Sequence, residues 1–144
     1  MRATLIIAGI ELSVIAWLDF DQAIEPMGGS TMHRMANGAG FKVSAWRKHR
    51  ITLSAGGWIP PALLGVDYSA PFEIELPIPV GLNAGETLPA GWSSRAAPYG
   101  ETTQTDQDGK SLRMVYPKLT VFSDGPRQSA GGGSRTWELV CEEA

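Results

Sequence analysis

The sequence predicts an all-β chain: a single-domain antiparallel β-sandwich or barrel over residues 1–144, with one short helix and a long central arm at 81–110. Three observations lead there. Glycine and proline number 17 and 10, and they fall at intervals that suit strands of about five or six residues but not long helices. Several of the stretches between them alternate apolar and polar residues with a period of two, the mark of a strand with one dry face. With 144 residues, 43% of them hydrophobic, the chain can bury a core without a disulfide or a metal.

From the start of the chain, Thr4-Leu5-Ile6-Ile7 and Ile10-Glu11-Leu12 flank Ala8-Gly9, which reads as a tight hairpin. Asn37-Gly38 is a second and stronger signal, because both residues tolerate positive φ, and a two-residue turn is expected there. Phe41, Val43 and Ala45 alternate with Lys42 and Ser44, and Arg50-Ile51-Thr52-Leu53-Ser54 repeats the pattern. In the next strand Phe72, Ile74 and Leu76 are assigned to the core and Glu73 and Glu75 to water. Leu112 to Phe122 and Thr136 to Cys141 are the last strands; Pro117 assigns the first of them to an edge or a bulge, since it cannot donate to a ladder. The glycine-rich run Ser129 to Ser134 reads as a hairpin tip. Pro60-Pro61-Ala62-Leu63-Leu64-Gly65 is the one helix, with proline where a first turn accepts it and glycine where a helix stops.

Residues 81–110 are poor in β-formers. Structureless loops beyond about 12–15 residues usually bind something or are disordered, and aromatic anchors have little use in a solvated loop. Trp92, Arg95 and Tyr99 are therefore candidate interface residues.

A net charge of −3, from 12 basic and 15 acidic residues, gives no field able to hold nucleic acid or an anionic membrane. Glu11 interrupts the N-terminal apolar run, only Arg2 supplies positive charge, and Glu11 and Asp19 would sit inside any membrane span. The chain is read as soluble, with no nucleic acid, membrane or cofactor partner. Cys141 is the sole cysteine, which excludes an internal disulfide.

Catalytic chemistry finds little footing. Asp19, Asp21 and Glu25 lack the spacing of a calcium loop and read as solvated residues. A zinc site would need more ligands than His33, His49 and Cys141 supply. No serine sits in a Gly-x-Ser-x-Gly elbow, neither histidine has a neighbouring motif that identifies it as a base, and no catalytic or metal-binding residue is assigned. The densest basic patch is Trp46-Arg47-Lys48-His49-Arg50. Trp46, Arg47 and Lys48 are candidate contact residues. Paired with Glu138, Glu142 and Glu143, in the same chain or a neighbouring subunit, the patch would set register more than affinity. Trp58, between Gly56-Gly57 and Pro60-Pro61, is assigned a structural part with those prolines, as a buried plug closing one end of the fold.

Two stretches carry a resemblance. Arg34-Met35-Ala36-Asn37-Gly38 through Trp46, then Ser54-Ala55-Gly56-Gly57-Trp58-Ile59-Pro60-Pro61 through Asp67-Tyr68-Ser69, resemble small structural proteins encoded among the tail and baseplate genes of siphophage-like tailed bacteriophages. The likeness covers residues 20–77 and 112–143, where Val115-Tyr116-Pro117 and Trp137-Glu138-Leu139 fit the same group. Ala62 stands where that pattern has glycine, and the central segment is shorter. The resemblance implies a non-enzymatic virion component, made in the bacterial host cytoplasm. Its partners would be other tail proteins and copies of itself in a ring at the tail tip or baseplate, with the arm packed on a neighbour. The rival readings are a carbohydrate-binding or receptor-contacting β module using Trp92 and Tyr99, and a small β-barrel enzyme using His33 or His49.

Overall fold

The computed structural model describes residues 4–12, 18–28, 30–34, 36–44, 48–83, 85–96, 99 and 101–144; at 18, 30–34 and 41–44 it describes the backbone alone. It is nearly all β, with antiparallel sheets and one short helix. The main sheet has eight strands. In chain order these are β1 (Leu5–Ile7), β2 (Ile10–Leu12), β3 (Leu18–Met27), β6 (Lys48–Gly56), β7 (Phe72–Glu75), β9 (Ser93–Ser94), β12 (Pro117–Gly131) and β13 (Ser134–Glu143). Laterally they run β2-β1-β7-β12-β13-β6-β3, with β9 added beside the start of β12. A second sheet orders β10 (Thr102–Thr105), β11 (Ser111–Val115) and β8 (Val80–Asn83), and β4 (Ser30–Arg34) pairs with β5 (Gly40–Ser44) as a separate hairpin.

The main sheet curls. In a flat sheet the four spacings from β7 to β3 would hold them roughly 19 Å apart at about 4.8 Å each. Yet Gln22 of β3 donates from Nε2 to the Ile78 carbonyl at 3.0 Å and accepts the Ile78 N–H at 3.2 Å, just beyond β7. The concave face is dry. Alternate residues of the central strands point into it: Ile51, Leu53 and Ala55 from β6, Ile74 from β7, Leu119 and Val121 from β12, and Trp137, Leu139 and Cys141 from β13, with Phe20 and Ile24 of β3 partly buried against them. The short helix α1 (Pro61–Leu64) covers this core with Leu63, helped by Ile59, Val66 and Tyr68.

Where strand periodicity was clear, the elements match it. Ala8 and Gly9 form a two-residue turn with φ of 51° and 83°, the left-handed pair that such a hairpin requires. Gly132 and Gly133 do the same at the tip of the β12–β13 hairpin.

Four expectations are corrected. The Asn37-Gly38 hairpin exists, but β4 and β5 close at Arg34 and Gly40, so the connection spans 35–39 and only Gly38 of the pair has positive φ. Asn37 avoids the left-handed region because its Oδ1 accepts the Ala39 N–H at 3.0 Å, a side-chain turn of its own. Pro117 marks neither an edge nor a bulge: it divides β11 from β12, which belong to different sheets, and opens an interior strand. The bulge lies further on, between Ser123 and Pro126. There Gly125 has φ of 102°, and a Cβ would meet the Tyr68 ring at 3.3 Å. Trp58 is no plug, for it is 65% exposed. Residues 81–110, finally, are not one free arm, because β8, β9 and β10 anchor the segment to the domain.

Candidate functional site

Arg95 organises one end of the molecule. Its N–H donates to the Tyr116 carbonyl at 2.9 Å, continuing the β9–β12 pairing, and this turns the side chain inward to complete burial. Nη1 donates to the carbonyls of Thr4 at 2.6 Å and Leu76 at 3.0 Å, tying together the residue before β1 and the one after β7. Nε lies 3.5 Å from Glu75 Oε1, close enough to pair but not aligned for a hydrogen bond, and Nη2 has no hydrogen-bond partner among the described residues. The Tyr99 ring stacks 3.8 Å from the guanidinium carbon, and its hydroxyl bonds Thr4 Oγ1 at 3.1 Å. That bond, set against desolvation and helped by the nearby Arg95 charge, holds the Tyr99 phenol below its usual pKa. Two residues expected to grip a neighbour thus grip their own chain.

Trp92 behaves likewise. It packs against the core cluster and meets the His49 ring edge-on at 5.1 Å between centroids. His49 in turn gives its backbone N–H to Glu143 Oε2 at 3.0 Å and places Nδ1 3.1 Å from the same oxygen. Lys48 reaches the Ala144 carbonyl at 3.0 Å, and Arg50 bonds Glu142 at 3.2 Å and Glu25 at 3.3 Å. Those hydrogen bonds, Glu142 first, raise the Arg50 pKa. Lys48, His49 and Arg50 thus meet residues 142–144 of their own chain, because β6 and β13 are paired with Arg50 opposite Glu142. Trp46 and Arg47 lie outside the described residues.

The described side chains bring together no group of three or more His, Cys, Asp or Glu able to hold a metal. His49 and Glu143 are arranged as a base and its orienting carboxylate, but no serine, threonine or cysteine bonds the imidazole among the described residues. Burial pushes the Cys141 thiol up to about 12, the reverse of what a nucleophile needs. For His33 only the backbone is described.

Two surface features among the described residues carry recognition chemistry, and neither is among the contact residues expected from the sequence. One is the Trp58 loop. Gln128 holds it on both sides: Nε2 donates to the Gly57 carbonyl at 3.1 Å and Oε1 accepts the Ile59 N–H at 2.9 Å. The Gly57 N–H donates to the Arg135 carbonyl at 2.8 Å, and the Arg135 guanidinium covers one face of the indole at 4.9 Å. An exposed tryptophan is thus fixed in place, with Leu64 of α1, also 65% exposed, on the same covering segment. The other feature is an open groove of about 530 Å³ beside the β12 bulge. Phe122 (48% exposed), Tyr68 and Val140 give it an apolar floor, and Asp124, Glu138 and Glu142 a carboxylate rim. Phe122 points outward because it is out of phase with Leu119 and Val121, a signal readable from the adjacent apolar pair Val121-Phe122. Nothing local in the sequence marks Gln128 or Arg135.

Compared with known proteins, the chain matches no protein-family model and no curated protein.

Proposed function

We propose that this domain is a non-enzymatic structural component of a bacteriophage tail, assembled into a tail-tip or baseplate ring with copies of itself and other tail proteins. One observation carries the assembly role. Three of the four large apolar side chains left in water among the described residues, Trp58 and Leu64 on one segment and Phe122 on another, sit on anchored backbone. Fixed exposed aromatics lose little entropy on contact, which is why they dominate protein interfaces. The tail setting comes from the likeness at 34–69 and is the narrower part of the proposal. Mass spectrometry of purified particles, with a reconstruction of the tail end, tests it: the chain is expected in the ring, and its absence from particles refutes the reading.

A receptor-contacting or carbohydrate-binding module is the second reading. Its original platform is weakened, since Trp92 packs on the core and Arg95 covers Tyr99. The exposed Trp58 and Phe122 rings favour what is left of it. Retention of the purified chain on a glycan surface, lost in Trp58→Ala or Phe122→Ser, supports this alternative; free elution dismisses it.

A further inference from the structure

We propose that Trp58 and Arg135 of one molecule insert into the Phe122 groove of a second copy, so that each chain carries both halves of a head-to-tail self-contact. The proposal deepens the assembly reading and rests on it for the biological setting. Three features favour a second copy as the occupant. First, the groove's volume of about 530 Å³ lies in the range that encloses a small-molecule ligand, which leaves room for an indole with a guanidinium beside it.

Second, the charges complement each other. Arg135 has no carboxylate partner among the described residues; its guanidinium rests only on the indole. Asp124 at the groove has no cationic partner among them either, and Glu138 is met only by Arg127 at 3.9 Å, with 78% of the arginine side chain exposed. Glu142 is held by Arg50 and Glu138 is met by Arg127, so Asp124 is the rim carboxylate left without a cation among the described residues; Arg135 carried in with Trp58 would supply it, and a charge pair at the edge of an apolar contact sets orientation. Third, such a contact covers Trp58, Leu64 and Phe122, three of the four large hydrophobic side chains exposed among the described residues.

The two halves cannot meet within one molecule. Gln128 pins the Trp58 loop over the covered face of the sheet, whereas Phe122, Glu138 and Val140 lie on the opposite, outward face of β12 and β13. Phe122 and Arg135 belong to the same β12–β13 hairpin, and Gln128 and the Arg135 carbonyl tether the Trp58 loop to it, so the mutual orientation of the two halves is fixed. A heterologous contact of fixed rotation, repeated, closes into a ring or extends as a filament.

Sedimentation of the purified full chain up to millimolar concentration tests this. Wild type is expected to self-associate. Trp58→Ala and Phe122→Arg should each weaken that association about thirtyfold or more, the size of an interface hot spot. The decisive arm mixes the two variants. Trp58→Ala keeps an intact groove and Phe122→Arg keeps an intact Trp58, so together they should form one-to-one dimers that grow no further. Circular dichroism checks the fold, and Phe122→Ser replaces Phe122→Arg should the arginine unfold the chain. A monomeric wild type, undiminished association of the variants, or a mixture that stays monomeric overturns the contact. Presence of the chain in particles alongside a monomeric wild type would reject this contact and spare the assembly reading. Self-association with absence from particles would do the reverse.

Discussion

Arg95 and Trp58 both sit on segments that leave the main sheet, and both are fixed by hydrogen bonds to distant parts of the chain, yet one is wholly buried and the other stands in water. The difference lies in which group does the anchoring. At Arg95 the side chain makes the bonds, reaching inward to the carbonyls of Thr4 and Leu76. At Trp58 the flanking backbone is held by Gln128, and the indole is left free to face outward. Exposure and rigidity are therefore separate properties. At Arg95 the side chain that makes the anchoring bonds is drawn inward by them, whereas one whose backbone is anchored by another residue can be displayed.

The contrast can be broken most severely by deleting 84–108. Because that removes Trp92, Arg95, Tyr99, β9 and β10 together, the remaining chain should fail to fold, seen as loss of the cooperative unfolding transition. A folded deletion variant would mean that the segment is dispensable after all. Next in size, Arg95→Met leaves two buried carbonyls and Glu75 without their cation, and should cost about 3–5 kcal/mol in chemical denaturation. A loss below that range would show that water replaces the guanidinium.

Gln128→Ala removes the bonds to Gly57, Ile59 and Thr136 and should cost about 1–3 kcal/mol. Its sharper readout is dynamic: amide exchange at 57–59 should accelerate while that at 93–95 stays slow. Equal protection in the variant would mean that the Trp58 loop is held by something other than Gln128. The smallest effect belongs to Trp58→Ala itself, which should lose less than about 1 kcal/mol, the contribution of an exposed cation–π contact. A cost of several kcal/mol would restore tryptophan to the core.

How much of this the sequence discloses depends on how local its cause is. Period-two strands were legible at Arg50–Ser54, Phe72–Leu76 and Thr136–Cys141, because alternation is a property of neighbours. So were the turns at Ala8-Gly9 and Gly132-Gly133, where glycine supplies the positive φ at three of the four positions. Trp58 was misread because the partner that decides which way its loop faces, Gln128, lies 69 residues beyond Ile59 in sequence. Arg95 was flagged as a contact residue but given the wrong partner: the carbonyl it reaches at Thr4 is 91 residues away, and no periodicity announces it. The same holds for Arg50, whose basic neighbourhood was plain but whose acidic counterpart on β13, Glu142, depends on strand register.

The place of β13 in the sheet has a consequence for how the chain is made. It lies between β12 and β6, and it follows every other described strand in the sequence. Until it is available, β2-β1-β7-β12 and β6-β3 share no hydrogen-bonded neighbour, and the middle of the core lacks Trp137, Leu139 and Cys141. A nascent chain therefore presents two long open strand edges, the kind of surface that pairs with the wrong partner, for as long as β13 remains inside the ribosome.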